Sequence, residues 1–540
     1  MHANSRAPNQ RPASPLNEGI QLLSLCILLS IIVRWPLGLQ PGLLPTDPNA
    51  PLHALLANQL AQGGPMDKLL SLGWPEGLPV RMVGLPLLLL AVPWVGMLGS
   101  MGALQLAISI GLVLQGMLVG WVARKLGIEQ RGALAASAAA ILAPLSIHVQ
   151  GIGQVENLAL GYLALCAYGG LKGGRQGWVC AAIGLLLAVF SSPYQAFSAG
   201  ILLLATSAFR SWQALVKSLG LAITIAAIAV PYYLGAAQGS AAEGGATSSP
   251  PEQGHWASAG ISDLVLPRAI WFTDTLEIPG FPERIAAIST PPQPASLVDF
   301  PWSTPHQVSY LGWIVLGIGL FGIWTIRNKP LGRSLGLAAV ICTLCAMGPE
   351  ARLFGERSTG IPLPWTLLAE IPGVGQLAAT HRFLSGTLLV LVLGIWLSVS
   401  RLGRVGLVAV VAGLCVEGLL IAPVHWPLPT ASLTGPPIAQ ELPDTPIALW
   451  PPLGIRPPQD HELVALTLNR DVAVYQGPLN PKSVAIWLSE VTEAGAQGLL
   501  RLPGGSTSLE NTIGSMRGGF MLGEERCPTD LCWRTLQASP

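Results

Sequence analysis

The chain has 540 residues, of which 51% are apolar and 11% charged, and its mean hydropathy is +0.53. A soluble chain holds roughly a quarter of its residues charged, so lipid has to solvate most of this one and an integral membrane protein is expected. Its 29 Lys and Arg against 28 Asp and Glu give a net charge of +1; with no basic stripe and no nucleic-acid motif, a nucleic-acid partner is excluded.

Residues 1–18 read as a polar cytoplasmic segment carrying Arg6 and Arg11. The apolar stretch 20–38 follows them without a small-x-small cleavage site, and Arg34-Trp35-Pro36 comes next, so it reads as a retained signal-anchor helix rather than a removed leader. Apolar segments at 102–123, 130–148, 155–171, 176–191, 194–209, 216–235, 307–326, 331–347, 382–400 and 404–422 are each near bilayer-spanning length, making about 11 helices with the first. Segment 85–98, LPLLLLAVPWVGML, is short and holds Pro93. If it does not span, Arg124, Lys125, Arg131, Lys172, Arg175, Arg210, Lys217, Arg327, Lys329, Arg333, Arg401 and Arg404 share one side with Arg6 and Arg11. The short opposite loops 149–154 and 191–195 hold no Lys or Arg. The positive-inside rule therefore places the N-terminus inside, the C-terminus outside and 85–98 in the interface or re-entrant.

This topology makes 19–425 a transmembrane domain with outer loops 39–101, 236–306 and 348–381, and 426–540 an outer tail. The Gly/Ser/Pro-rich start of loop 236–306 has too little apolar surface to pack and is expected to be mobile. The tail holds strand-like runs at 447–450 and 472–477 and a helix-like stretch at 482–499, enough for a small α/β domain. Cys26, Cys166, Cys180, Cys342, Cys345 and Cys415 lie in apolar segments as small hydrophobes; Cys527 and Cys532 are the pair that bridges if that end faces an oxidising compartment.

Polar residues on the outer face are few. Asp47, in PTDPN, reads either as a turn or N-cap for a helix over 50–62 or as a lone acid where chemistry begins. That helix is uncharged, carries His53, and reads as lying on the membrane surface. Next, MDKLLSLGWPEGLPVRMVG brings Asp67, Lys68, Glu76 and Arg81 to the interface beside Trp74. SIHVQGIGQVENLALGY adds His148, Gln150, Gln154, Glu156 and Asn157, where Glu156 either complements a helix dipole or faces a cavity. The hairpin SSPYQ adds Ser192, Tyr194 and Gln195; MGPEARLFGERSTG adds Glu350, Arg352, Glu356 and Arg357; THRF adds His381 and Arg382. A cation at a helix start opposes the dipole, which makes Arg382 an anion-binding candidate, with snorkelling to headgroups as the plain alternative.

The order of parts resembles a GT-C glycosyltransferase, the fold of aminoarabinose and mannose transferases that use polyprenyl-phosphate sugars. The resemblance rests on TDPNAPLHALLANQLAQGG, LGWPEGLPVRM, the inner turn WVARKLG, GQVENLALGYLAL and IPGVGQLAATHRF, and covers roughly residues 15–425. It implies an all-α polytopic bundle with interfacial helices in the first outer loop, in a bacterial inner membrane, with its site facing the periplasm. It further implies hexosyl or pentosyl transfer from a polyprenyl-phosphate donor to a glycan, lipid or protein acceptor. Asp47 matches the general base, and Glu156 the second acid that holds the acceptor or a divalent cation (Mg or Mn), with Asp47 and Glu156 as its ligands. Arg81, Arg352 and Arg382 match the lipid-phosphate cations, and His53, Glu76, His148, Gln154, Tyr194, Gln195 and His381 complete the expected substrate surface. Many members carry two adjacent acids in the first loop, whereas Asp47 stands alone.

Two other classes stay open from sequence. A lipid-linked-sugar transporter or flippase needs ionisable residues deep in its helices, where Glu417 is the clearest present. A non-catalytic scaffold displaying its outer tail as a binding domain is the other.

Overall fold

The structure, a computed structural model, describes residues 15–37, 43–46, 49–65, 68–71, 78–79, 84–151, 156, 159–242, 258–267, 269–271, 281–289, 291, 293–295, 306–354, 357–370, 377, 379–424, 426–433, 445–450, 463–466, 472–474, 481–501, 520–522 and 532–538. Asp47, Asp67, Glu76, Arg81, Gln154, Asn157, Glu356 and Cys527 lie outside them, and with them the expected Cys527–Cys532 bridge.

The helices in chain order are α1 (Pro15–Val33), α2 (Ala50–Ala61), α3 (Leu85–Ala91), α4 (Val95–Lys125), α5 (Gln130–Leu142), α6 (Pro144–Gly151), α7 (Leu160–Lys172), α8 (Gly174–Ser191) and α9 (Pro193–Ala208). There follow α10 (Trp212–Ala242), α11 (Ile261–Val265), α12 (Phe281–Ser289), α13 (Trp313–Thr325), α14 (Pro330–Ala346), α15 (Pro364–Leu368), α16 (Leu384–Cys415) and α17 (Pro481–Glu493). Among the described residues, 5 helical stretches are long and apolar enough to cross a bilayer: Leu16–Val33, Leu85–Lys125, Gly174–Ser191, Trp212–Ala229 and Thr380–Ile421. The bent pair α5 and α6 makes up to 6, and α13 and α14 are shorter apolar helices. The chain is therefore a membrane protein, and the described helices of spanning length are fewer than the eleven expected spans.

Backbone breaks account for several differences from the sequence reading. The expected span 155–171 begins only at Leu160, so Glu156 sits ahead of the helix rather than in its first turn. The span 307–326 begins at Trp313, because Gly312 at φ +94° turns the chain there. Segment 85–98 is helical, running through α3, a 3-10 turn at Val92–Trp94 and the start of α4, and breaks from the rest of α4 at Gly99. In α16 a second glycine, Gly403 (φ 73°, ψ −163°), separates the two expected spans 382–400 and 404–422. Helix α10 continues to Ala242, past the expected end at 235 and into the stretch expected to be mobile. Finally, α2 is covered by its neighbours rather than standing free. It packs against α3 and α4, and Ala50, His53, Ala54, Leu55, Leu56, Ala57 and Gln59 are buried.

The core runs along α16 and its neighbours α5 and α13, from Leu384 through Trp396 to Val399. Small residues make the close approaches. A Cβ on Gly322 would lie 1.9 Å from the Gly394 carbonyl oxygen, and one on Gly394 would lie 2.1 Å from that of Gly319, so α13 and α16 touch backbone to backbone.

The strands are β1 (Leu44–Pro45), β2 (Lys68–Leu69), β3 (Leu78–Pro79), β4 (Ala269–Trp271), β5 (Gln293–Ala295), β6 (His306–Val308), β7 (Glu350–Phe354) and β8 (Arg357–Pro362). After α16 come β9 (Thr430–Leu433), β10 (Ile447–Trp450), β11 (Val472–Val474), β12 (Gly498–Arg501), β13 (Phe520–Leu522) and β14 (Cys532–Ala538). Strand β9 pairs antiparallel with β1 and parallel with β5, which ties the first two expected outer loops to the segment after the last helix. The tail forms a sheet in the order β11-β10-β12-β14-β13, parallel through β11, β10 and β12 and antiparallel beyond. Alternation along β10 sorts its faces. Ile447 and Leu449 join the core of the bundle, while Ala448 and Trp450 pack with Val484, Leu488 and Val491 of α17.

Candidate active site

Three local features converge on one cavity. Pro144 has no N–H for the α5 ladder and forces Ala143 extended (φ −58°, ψ 138°), so α5 and α6 meet at 41°. That bend turns Leu145, Ser146, His148 and Val149 of α6 toward the cavity. Pro193 stands at the first position of α9 after an extended Ser192 (φ −167°, ψ 144°), a favoured helix start that brings Tyr194 and Gln195 directly onto the first turn. A 3-10 turn over Thr380–Phe383 then leads into α16 and carries His381 and Arg382.

The cavity is partly open and is lined by Leu145, Ser146, His148, Val149, Leu160, Gln195, His381, Arg382, Ser385 and Leu388. Arg382 is its cation. Its Nη1 donates to Glu156 Oε1 at 3.2 Å, and its guanidinium carbon lies 5.3 Å from the centroid of the Tyr194 ring. Tyr194 is itself fixed, since its hydroxyl oxygen accepts from the Ala379 N–H at 2.9 Å. Ser385 Oγ lies 3.0 Å from Gln195 Oε1 and 3.1 Å from the Arg382 carbonyl oxygen, joining α9 to the start of α16. His148 and His381 are 2% and 8% exposed.

The 3-10 turn is held from behind. The Phe383 ring meets Tyr194, Phe197 and Trp365 at centroid distances of 5.5, 6.0 and 5.1 Å. Thr380 Oγ1 lies 3.0 Å from Ser258 Oγ and 3.2 Å from the Ala346 carbonyl oxygen. Gly348 permits this crossing: at φ +78°, a Cβ there would stand 2.2 Å from Ser258 Oγ. A cation at a helix start, unfavourable by the dipole, is thus offset by one carboxylate and one aromatic face.

Of the residues expected from sequence, Glu156, Tyr194, Gln195, His148, His381 and Arg382 come together here. His53 does not line this cavity; it is buried in α2, with Nδ1 2.9 Å from the Asn49 carbonyl oxygen. Arg352 is 3% exposed on β7, in the hairpin with β8, and is not among the cavity's lining side chains. Asp47 follows Thr46, whose N–H donates to the Pro429 carbonyl oxygen at 3.1 Å, so the chain leading to Asp47 is anchored. Ser146 and Ser385 were not expected. The only signal for Ser385 is its position three residues after Arg382 in HRFLSG, one helical turn along the same face.

Of the two expected metal ligands, Asp47 lies outside the described residues. Glu156 Oε1 is engaged by Arg382, and among the described residues no group of three His, Cys, Asp or Glu gathers to hold a metal.

Glu417, the carboxylate that raised ion coupling, serves a helix instead. It accepts from the Tyr310 hydroxyl at 2.5 Å, from the Ile314 N–H at 3.0 Å and from the Trp313 N–H, closing the first turn of α13.

No family model matches the chain, and no curated protein does. Among solved structures, the chain is similar to ArnT from Cupriavidus metallidurans bound to undecaprenyl phosphate, with 13% identity over 97% of this chain and 98% of that one, at a TM-score of 0.46. For the same protein in the apo state the identity is 12% and the TM-score 0.45, over the same shares of both chains. It is also similar to the Archaeoglobus fulgidus oligosaccharyltransferase in the apo form, with 11% identity over 89% of this chain and 69% of that one, at a TM-score of 0.42.

Proposed function

We propose that the chain is a GT-C-like membrane glycosyltransferase that moves a hexosyl or pentosyl group from a polyprenyl-phosphate donor to a glycan, lipid or protein acceptor. The observation that carries this reading is the Arg382 guanidinium, held by the Glu156 carboxylate and the Tyr194 ring in a cavity of a membrane bundle that is lined on one part by Leu145, Val149, Leu160 and Leu388 and on the other by polar side chains. Such a site suits a substrate with an anionic head and a hydrocarbon tail. In the transfer, the bond from the sugar's anomeric carbon to the phosphate oxygen breaks and the phosphate leaves with the electron pair. The acceptor oxygen bonds that carbon and gives its proton to a carboxylate, for which Asp47 is proposed. Arg382 meets charge that grows on the leaving phosphate, and it does so where low dielectric strengthens the interaction. His148, His381, Gln195 and Ser385 supply hydrogen-bonding atoms for sugar hydroxyls. The capping role of Glu417 removes the clearest intramembrane group from an ion-coupled transporter.

The test is sugar transfer by the purified chain in proteoliposomes supplied with polyprenyl-phosphate sugars. Arg382→Ala is expected to lower kcat by about 10²–10³ and, by leaving the Glu156 carboxylate unpaired, to melt lower while still folding cooperatively; Asp47→Asn is expected to abolish turnover in folded protein. Full turnover in folded Arg382→Ala sinks the reading.

A further inference from the structure

We infer that Glu156 is the resident counter-ion of Arg382, which the phosphate of an incoming prenyl phosphate has to displace. The inference rests on the reading of this cavity as the phosphate end of a donor site and deepens it. A carboxylate that holds an arginine for purely structural reasons commonly takes the guanidinium side-on, through two parallel hydrogen bonds. Here a single contact is made, Nη1 to Oε1 at 3.2 Å. Arg382 Nε is buried without a hydrogen-bond partner among the described residues, and so is Glu156 Oε2. Each member of the pair thus makes fewer hydrogen bonds than it can, so the contact is weaker than a bidentate pair and open to replacement by a better partner.

The pair solves a physical problem of the empty cavity. A lone guanidinium drawn largely out of water is costly, and a carboxylate that is itself 6% exposed neutralises it. A phosphate matches the planar fork of an arginine with two oxygens at once. Two anions on one guanidinium repel each other, more strongly as water is excluded. Phosphate and Glu156 are therefore rivals for Arg382. Tyr194 lies against the guanidinium, 5.3 Å from centroid to carbon, and holds it in place while the partner changes. The consequence is a site whose carboxylate is released by the substrate's own charge.

The experiment measures dissociation constants of the purified full chain for farnesyl phosphate, with farnesol as the uncharged control. Wild type is expected to prefer the phosphate to the alcohol, and Arg382→Ala to lose that preference. Glu156→Gln is expected to bind farnesyl phosphate about tenfold more tightly, the size of one like-charge interaction in a partly solvated cavity, with farnesol unchanged. If Glu156→Gln loses its melting transition, Glu156→Asp, whose charge is drawn back from Nη1, is expected to change binding in the same direction by a smaller factor. Unchanged or weaker phosphate binding in a folded variant overturns the inference, because a residue that merely positions Arg382 weakens binding when it is lost. A wild type that binds phosphate no better than alcohol overturns it too. Failure of the transferase reading shows separately, as absent sugar transfer with prenyl-phosphate binding and its Glu156 dependence intact.

Discussion

Tyr194 holds the Arg382 guanidinium against its ring and the chain ahead of that arginine by its hydroxyl, and the two contacts can be separated. Tyr194→Phe keeps the ring and loses the acceptor for the Ala379 N–H, so donor KM is expected to rise less than about fivefold, the worth of about 1 kcal/mol of hydrogen bonding. Tyr194→Leu removes the ring as well and is expected to raise KM by roughly tenfold more, from a cation–π term of about 1–2 kcal/mol. Equal KM values for the two variants would show that the ring contributes nothing. A second residue-scale prediction concerns Glu417. Glu417→Ala leaves the Tyr310 hydroxyl and the Trp313 and Ile314 N–H groups without their acceptor, at about 1–3 kcal/mol for each buried donor. Its melting temperature is expected to fall further than that of Glu417→Gln, which keeps one acceptor oxygen. Sequence alone could nominate both residues but not their roles. Tyr194 stood out as a tyrosine on a hairpin, and Glu417 as an acid in an apolar run. What each touches depends on chain 185 and 107 residues away, respectively.

At the scale of elements, apolar period and length were enough to place most of the helices, and the turns between them followed from Pro and Gly. The breaks within helices were not legible, because a glycine inside an apolar run is as compatible with tight packing as with a left-handed backbone. Gly394 is the first kind and Gly403 the second. Gly403→Ala is therefore expected to destabilise by about 1–3 kcal/mol, since φ 73° with ψ −163° is a region essentially reserved for glycine; an unchanged melting curve would contradict it. The end of the last helix was equally hidden. Val416–Ile421 forms a π-helical turn, and its terminal carbonyls are capped from elsewhere in the chain. Arg284 of α12, 2% exposed, donates to the Leu419 and Ala422 carbonyl oxygens at 2.8 and 2.7 Å. A cation there complements the helix dipole, although burial lowers its pKa from the ordinary arginine value. Arg284→Met keeps much of the side-chain volume and removes both hydrogen bonds. It is expected to lower the melting temperature and to speed proteolysis within α12, and equal cleavage rates would show that the cap does not hold α12 in place.

The whole molecule has two chemically different ends, and the first half of α16 joins them. From Leu384 to Ser400 this helix covers about 25 Å at 1.5 Å per residue, close to the thickness of a hydrocarbon core. At its start lie Arg382 and the cavity, and just past its end lies the basic turn with Arg401 and Arg404. Other basic turns gather at that second end. Arg131 is the neighbour of Gly403, with Nη1 4.0 Å from where a Cβ would stand, and Arg124 pairs with Glu18 at 2.6 Å at the start of α1. Further along, the Arg210 Nη1 donates to the Gly170 carbonyl oxygen at 3.0 Å beside the turn that carries Lys172 and Arg175. Lys125, Arg210 and Arg327 each lie over a tryptophan, at 5.7, 5.8 and 4.0 Å, the pairing expected where helices leave lipid for water. By the positive-inside rule we propose that this end is cytoplasmic and that the cavity faces outward. Sided cysteine labelling tests the assignment. Leu367, 71% exposed in α15, whose Trp365 packs on Phe383, marks the cavity end; Arg175 marks the basic end. A membrane-impermeant maleimide added to intact cells is expected to label Leu367→Cys at once and Arg175→Cys only after permeabilisation. The reverse pattern would put the cavity on the cytoplasmic side, where a donor carried to the outer leaflet cannot reach Arg382.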